Sequence, residues 1–205
     1  MFIPKNMLMN DLTEKHDFIE QFGFALLVSE DLQVTHLPMT LVTEESGLGV
    51  LYAHMARANP HWRTLDKQKV KVVFNGPHAY ISPSWYATGP AVPTWNYAAV
   101  HVSGQATSLD DVQTFQAVQA LVNQYEPALL NNEALMPADY QHKLATAIVG
   151  FKIEIQQIEG KLKLGQHKSV ADQQGTVTGL QSSQRSDSSA LLAYMQQTGI
   201  GVGRQ

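Results

Sequence analysis

Residues 74–101 read F-N-G-P-H-A-Y-I-S-P-S-W-Y-A-T-G-P-A-V-P-T-W-N-Y-A-A-V-H, and how this stretch is read decides the fold. It holds Phe74, Tyr80, Trp85, Tyr86, Trp95 and Tyr97, together with four of the chain's nine prolines. The aromatic positions follow neither a helical nor a strand period. Pro77, Pro83, Pro90 and Pro93 each fix φ and remove a backbone donor, so most of the segment is expected to be rigid loop. A long loop rich in Trp and Tyr costs ordering entropy unless it covers or builds something.

On the N-terminal side the chain reads as an antiparallel start. Asn10 or Asp11, the latter with Glu14 three residues on, opens a helix whose stripe is Phe18, Ile19 and Phe22 and which ends at Gly23. F-A-L-L-V-S (24–29), V-T-H-L-P-M-T-L-V (34–42) and G-L-G-V-L-Y-A-H-M (47–55) have the length and residue types of strands. Pro38 inside the second run marks an edge or a bulge, where no donor is required. Asn59 can cap a short helix over 61–65 with Pro60 in its first turn. Residues 70–74 and 79–82 read as two further strands.

Beyond the aromatic stretch, A-V-H-V-S-G-Q-A-T (99–107) alternates Val100, Val102, Gly104 and Ala106 against His101, Ser103 and Gln105. The first face shrinks to Gly and Ala, which would let another element approach closely. Asp110-Asp111-Val112-Gln113 opens the strongest helix, with Phe115, Val118, Leu121 and Val122 as its buried stripe and Pro127 as its stop. A shorter helix over 140–147 and a half-buried strand over 150–159 follow. Helices over 170–180 and 190–196, separated by the polar spacer S-S-Q-R-S-D-S-S, close the chain. Strands dominate without βαβ alternation, so the fold class is mainly β with peripheral helices (α+β), an antiparallel barrel.

Composition narrows the function classes. The chain has 205 residues, room for one domain or a domain with an appendage. A net charge of −4 offers no basic face for nucleic acid, and the absence of cysteine removes disulfides, thiolate metal sites and a thiol nucleophile. Residues 2–11 lack the apolar region of a signal peptide, and no stretch is long enough for a membrane span, so a cytoplasmic protein without membrane contact is expected. The eight histidines show no ligand spacing, so no metal is expected. Ser82 and Ser84 lack a nucleophile-elbow context, and the glycines fit no dinucleotide or phosphate-loop pattern.

The motifs M-F-I-P-K (1–5), T-H-L-P (35–38), H-M-A-R-A-N-P-H-W (54–62), V-F-N-G-P-H-A-Y-I-S-P-S-W-Y (73–86), V-P-T-W-N-Y (92–97), V-H-V-S-G (100–104), A-I-V-G-F (147–151) and E-G-K-L-K-L-G-Q (159–166) resemble those of the PaiB family. These are FMN-binding negative transcriptional regulators of bacteria, similar to the FMN-binding split-barrel proteins. The resemblance spans almost the whole chain and fades after about Leu180. It implies a split β-barrel domain over residues 1–165 with a helical extension over 166–205, FMN as cofactor, and a homodimer with flavin at the subunit interface. DNA binding is implied by the family name alone; neither charge nor a helix-turn-helix supports it. An FMN-dependent oxidoreductase or flavin reductase is the alternative, and a haem-binding module a further one. No catalytic residue stands out; His36, His54 and Tyr97 are the candidates near a ring.

The resemblance also suggests which residues meet the cofactor. His54, Met55, Arg57 and Asn59 follow a strand where the chain turns into a short helix, the place where relatives hold the FMN phosphate. Arg57 has the planar fork for it; the plainer reading is a solvated Arg beside a capping Asn. Thr35, His36, Leu37 and Pro38 resemble the strand beside the isoalloxazine, whose backbone can read a pyrimidine edge; otherwise this is a protected edge strand. Trp95 and Asn96, and less directly Trp85, offer aromatic and amide groups to a ring, or else pack an interface. Lys161 and Lys163 share one side of an extended segment, either reaching a phosphate across a dimer or solvating an edge.

Overall fold

The computed structural model describes residues 1–204. The alternating runs fold as expected at the start: β1 (Phe24–Ser29) buries Ala25, Leu27 and Ser29, and pairs antiparallel with β2 (Val34–Pro38). The run 34–42 is broken by a bend at buried Met39, beyond which β3 (Thr40–Val42) pairs with β4 (Val50–Ala56) instead. Pro38 therefore marks a point where the strand changes partners.

Three long strands complete the sheet: β5 (Lys69–Ile81), β6 (Thr94–Ser108) and β7 (Ile148–Lys163), in the order β2-β1-β5-β6-β7-β4-β3. The two edge strands, β2 and β3, are separated in the chain by Met39 alone. A sheet with such neighbours at opposite ends must curl until its edges meet, which makes it a barrel. The closure is incomplete. Continuing the β3–β4 register would set Pro38 opposite His54 and His36 opposite Ala56, yet β2 bonds only to β1 while staying near β4. The barrel is split between β2 and the end of β4.

The stretch 74–101 is less of a loop than its prolines suggest. Residues 70–74 and 79–82, read as two strands, belong to one, because β5 runs on through Pro77 to Ile81. With β6 beginning at Thr94, only residues 82–93 connect the strands, and they include a 3-10 turn, Pro83–Trp85. Burial alternates over residues 70–76, slips by one residue at Pro77–His78 and resumes at Ala79 and Ile81, so the missing Pro77 donor falls at an irregularity that the long strand absorbs.

The chain parts into two compact units. One comprises residues 11–74 and 101–159. Its core is Leu27, Leu37, Met39, Leu51, Val72, Phe74, Val102 and Ile153, all buried, each large aliphatic or aromatic side chain contributing roughly 1.5–3 kcal/mol. Val100, Val102, Gly104 and Ala106 do form one buried face of β6. The approach expected there is real: a Cβ on Gly104 would lie 2.2 Å from the Glu154 carbonyl oxygen of β7. Helix α1 (Leu12–Gln21) is capped by Asp11, which accepts from the Thr13 N–H at 2.9 Å. α2 (Trp62–Leu65) is a single turn. α3 (Asp111–Tyr125) opens with a capping box between Asp110 and Gln113. Its buried positions are Thr114 and Ala117, whereas Phe115, Val118, Leu121 and Val122 are half-buried. Thr114 wins the contact because its hydroxyl accepts from the Gly150 N–H of β7 at 3.2 Å, a close approach a larger side chain would prevent. α4 (Ala138–Ala145) follows.

The second unit comprises residues 1–10, 75–100 and the chain from Gly160. It contains α5 (Val170–Ser182) and α6 (Ser186–Thr198), packed through Leu180, Leu191, Tyr194 and Met195. Only Ser183, Gln184 and Arg185 of the expected polar spacer lie outside helix, since Ser182 ends α5 and Ser186-Asp187-Ser188-Ser189 form the first turn of α6 with Ser188 fully buried. Among the described residues no helix is long and apolar enough to cross a membrane.

Candidate functional site

In the first unit the structure brings together two groups of residues that are distant in sequence. Thr35 of β2 and Asn59, just past β4, are hydrogen-bonded: the Asn59 carboxamide donates to Thr35 Oγ1 at 3.2 Å. Both belong to a larger network around His61, whose ring is 1% exposed. Its Nδ1 lies 2.8 Å from Thr35 Oγ1 and its Nε2 lies 2.7 Å from Ser29 Oγ. Ser29 donates to the Asp31 carboxylate, so its oxygen must accept from the ring. His61 therefore carries its proton on Nε2, and Nδ1 accepts from the Thr35 hydroxyl. The chain of donors then runs in one direction, from Asn59 through Thr35, His61 and Ser29 to Asp31. Hydrogen bonds from Ser29 and Gln33 hold the Asp31 carboxyl down to about 2. Burial pushes the His61 pKa down and the Asp31 charge only partly opposes it, so the ring is neutral at physiological pH.

This network anchors both banks of the split. On one bank, Thr35 points inward, Leu37 is core, and His36 is exposed and stacked parallel to Phe24 at 6.2 Å between ring centroids. Pro38 ends the strand. As the edge of the sheet, β2 leaves alternate backbone groups unpaired along the split. On the other bank, Met55 is core and His54 is half-buried, its pKa lowered by burial. Arg57 is exposed but held in place: Nε donates to the Thr146 carbonyl at 2.9 Å and Nη2 to that of Ile148 at 3.0 Å. The remaining guanidinium donors face no partner among the described residues. Asn59 accepts from the His61 N–H at 3.1 Å, an Asx turn rather than a cap of α2.

The other expected residues lie in the second unit. Trp85 is held by α5, where Gly175 and Gly179 leave a notch: a Cβ on Gly175 would lie 1.9 Å from the Trp85 carbonyl oxygen, and one on Gly179 2.2 Å from its indole. Asp172, one turn before, accepts from the Thr88 N–H and hydroxyl, both at 3.1 Å. Burial raises the Asp172 pKa, but hydrogen bonds from Ser169 and Thr88 outweigh it and leave the pKa lowered. Residues 82–93 are thus strapped to one face of α5 at positions 172, 175 and 179, a stripe with helical spacing.

The T-W-N-Y run begins β6, so its side chains alternate. Trp95, 45% exposed, and Tyr97 line a concavity of about 300 Å³ with Asn75, Gly76 and His78. Thr94 and Asn96 face the opposite way, into a cavity of about 240 Å³ shared with Lys163, His167 and Lys168. Trp95 and Asn96 therefore do not address the same space. Lys161 is 7% exposed, so the solvated edge expected for it is absent. Its ammonium donates to the Phe2 carbonyl at 3.1 Å and lies 5.1 Å from the Tyr97 ring centroid.

Sequence reasoning passed over His61, Ser29 and Asp31. The signal was present, since His61 sits inside the motif 54–62, but its partners at 29–35 are remote in sequence. Among the described residues no three His, Asp or Glu side chains are grouped to hold a metal.

Comparison with known proteins agrees with this architecture. Among solved structures, the FAD and haem binding protein of Mycobacterium smegmatis superposes with a TM-score of 0.59 at 15% identity, covering 78% of this chain and 74% of that one. The flavocytochrome Anf3 of Azotobacter vinelandii does so with a TM-score of 0.57 at 14% identity, covering 80% and 73%. Such identities speak to the fold alone, and that fold is the antiparallel split barrel. The Bacillus subtilis protein named "Protease synthase and sporulation protein PAI 2" is 32% identical over 203 residues, 96% of this chain and 97% of its own. Residues 1–157 match the family described as "Putative FMN-binding domain". The chain belongs to that family, as a split-barrel protein of the PaiB type.

Proposed function

We propose that this chain binds FMN in the split of the barrel and acts as a regulatory flavoprotein. One observation carries the reading: Thr35 to Pro38 and His54 to Asn59 form the two banks of the split, fastened together through the Asn59–Thr35 and His61–Thr35 hydrogen bonds. The donor set suits the cofactor. The open edge of β2 offers alternating N–H and C=O groups for a pyrimidine ring, and Arg57 offers unspent donors for a phosphate. His54, neutral through burial, adds a hydrogen bond without a charge. FMN, when bound, supplies one- and two-electron chemistry; the protein binds and orients it. The absorbance spectrum of freshly purified protein tests this directly. A flavin spectrum retained through gel filtration is the expected result, and a colourless protein that stays colourless after incubation with FMN would end the proposal.

The outer face of β1 and β2 supports a homodimer. Phe24 is 64% exposed and Val34 is also exposed, beside half-buried Leu26 and Val28, a patch typical of an interface. Light scattering should give twice the 22.6 kDa chain mass; a monomer at all concentrations would refute it. The regulatory role draws on the name of the Bacillus subtilis relative. With a net charge of −4, regulation through a partner protein or through flavin state is favoured over direct DNA contact. A gel shift showing tight, sequence-selective DNA binding at moderate salt would reverse that preference. Anaerobic reduction of the loaded protein by a nicotinamide tests the alternative, an FMN-dependent oxidoreductase.

A further inference from the structure

Asn96 is 3% exposed, and its carboxamide, which makes no hydrogen bond to the described residues, opens onto the cavity it lines rather than being sealed in the core. An amide so placed keeps its donor for whatever enters the cavity. This one lines the cavity of about 240 Å³ in the second unit, and its neighbours there are cations. Lys163 places its ammonium on Thr94 Oγ1 at 2.7 Å and on the Trp95 carbonyl at 2.8 Å, which uses two of its three donors. Lys168 lies over the Tyr86 ring at 4.6 Å, with no carboxylate partner among the described residues. His167 completes the wall. Among the described residues no carboxylate lines the cavity, and Asp172 of the same unit is engaged by Thr88. Burial, with Lys161 adding to it and Tyr97 opposing, lowers the Lys163 pKa.

We infer that this cavity is an oxyanion site, taking the phosphate or carboxylate group of a small molecule between Lys163, Lys168 and the Asn96 carboxamide. Two ammonium groups supply the charge, and the amide supplies a donor that has no other use. The volume is below the usual 300–1,000 Å³ of a pocket enclosing a whole drug-sized ligand, so the cavity holds an anionic head while the rest of the molecule projects outward. The inference does not depend on flavin in the split, because its residues are all in the second unit.

Inorganic phosphate is the probe, titrated into the full chain and followed by calorimetry. Saturable binding is expected. Lys163→Gln and Lys168→Gln should each weaken it about tenfold or more, the scale of one charged hydrogen bond. Asn96→Asp, isosteric but anionic, should abolish it while the melting temperature is kept or raised. No saturable binding by the unaltered chain, or binding unchanged in all three variants, would overturn the inference. Affinities for FMN and riboflavin measured on the same proteins identify the source of the anion. A preference for FMN that collapses in Lys163→Gln assigns the cavity to the flavin's own phosphate. A preference that persists while phosphate binding is lost assigns it to a separate phosphorylated or carboxylated molecule.

Discussion

Replacing His61 with leucine should cost about 2–4 kcal/mol of stability. The ring is 1% exposed and makes two side-chain hydrogen bonds, at 2.7 and 2.8 Å. Each is worth about 1 kcal/mol net, and a stranded buried hydroxyl adds about 1–3 kcal/mol. Ser29 keeps Asp31 as its acceptor, so the stranding falls mainly on half-buried Thr35, toward the low end of that range. For a chain of this size the loss corresponds to a fall in melting temperature of about 4–16 °C. Thermal and urea denaturation measure it. Thr35→Val added to His61→Leu should return part of the loss, because removing both partners leaves nothing unpaired. The network also makes a pH prediction. Burial depresses the folded pKa of His61 below its unfolded value, so the unfolded chain takes up the proton first. Stability is therefore full above about pH 6.5 and falls with acidification toward the folded pKa, by at most about 1.4 kcal/mol per pH unit from this group. His61→Leu should flatten that part of the profile. A loss under about 0.5 kcal/mol together with an unchanged pH profile would refute the network as the tie between the banks of the split.

Gly179→Leu drives a side chain into the Trp85 indole and should destabilise by about 1–3 kcal/mol, with a change in tryptophan fluorescence as the 82–93 strap lifts from α5; an unchanged emission spectrum would show that the strap is held elsewhere. Arg57→Gln should weaken FMN by about tenfold or more while leaving riboflavin nearly unaffected, because the lost donors address a phosphate; equal losses for both flavins would place the phosphate away from the end of β4.

How much of this was legible beforehand depended on the range of the interactions. β1 was readable to the residue because Ala25, Leu27 and Ser29 alternate with partly exposed neighbours. The exchange of partners at Met39 was signalled only by Pro38, since nothing local distinguishes a bent strand from an edge. Pro77 misled in the opposite direction: a lost donor reads as a break, but a long strand with fully buried Phe74 and Ile81 can carry it. On α3 the periodicity named the large residues, yet the helix approaches Gly150 through Thr114, where small size decides. The site shows the same division. The motifs marked Thr35, Arg57 and Asn59, but the directed chain through His61 to Asp31 needs tertiary contacts between residues 24–32 apart. Adjacent residues of β6 face opposite ways, so Trp95 and Asn96 line different cavities, a separation the T-W-N-Y motif does not display until the run is known to be strand.

Titration of the purified chain with FMN, followed by flavin fluorescence, tests the central proposal most directly. Saturable binding with one flavin per chain, accompanied by a change in flavin emission, is the expected result. An emission signal that grows only in proportion to added FMN, without saturation at any protein concentration, would contradict it.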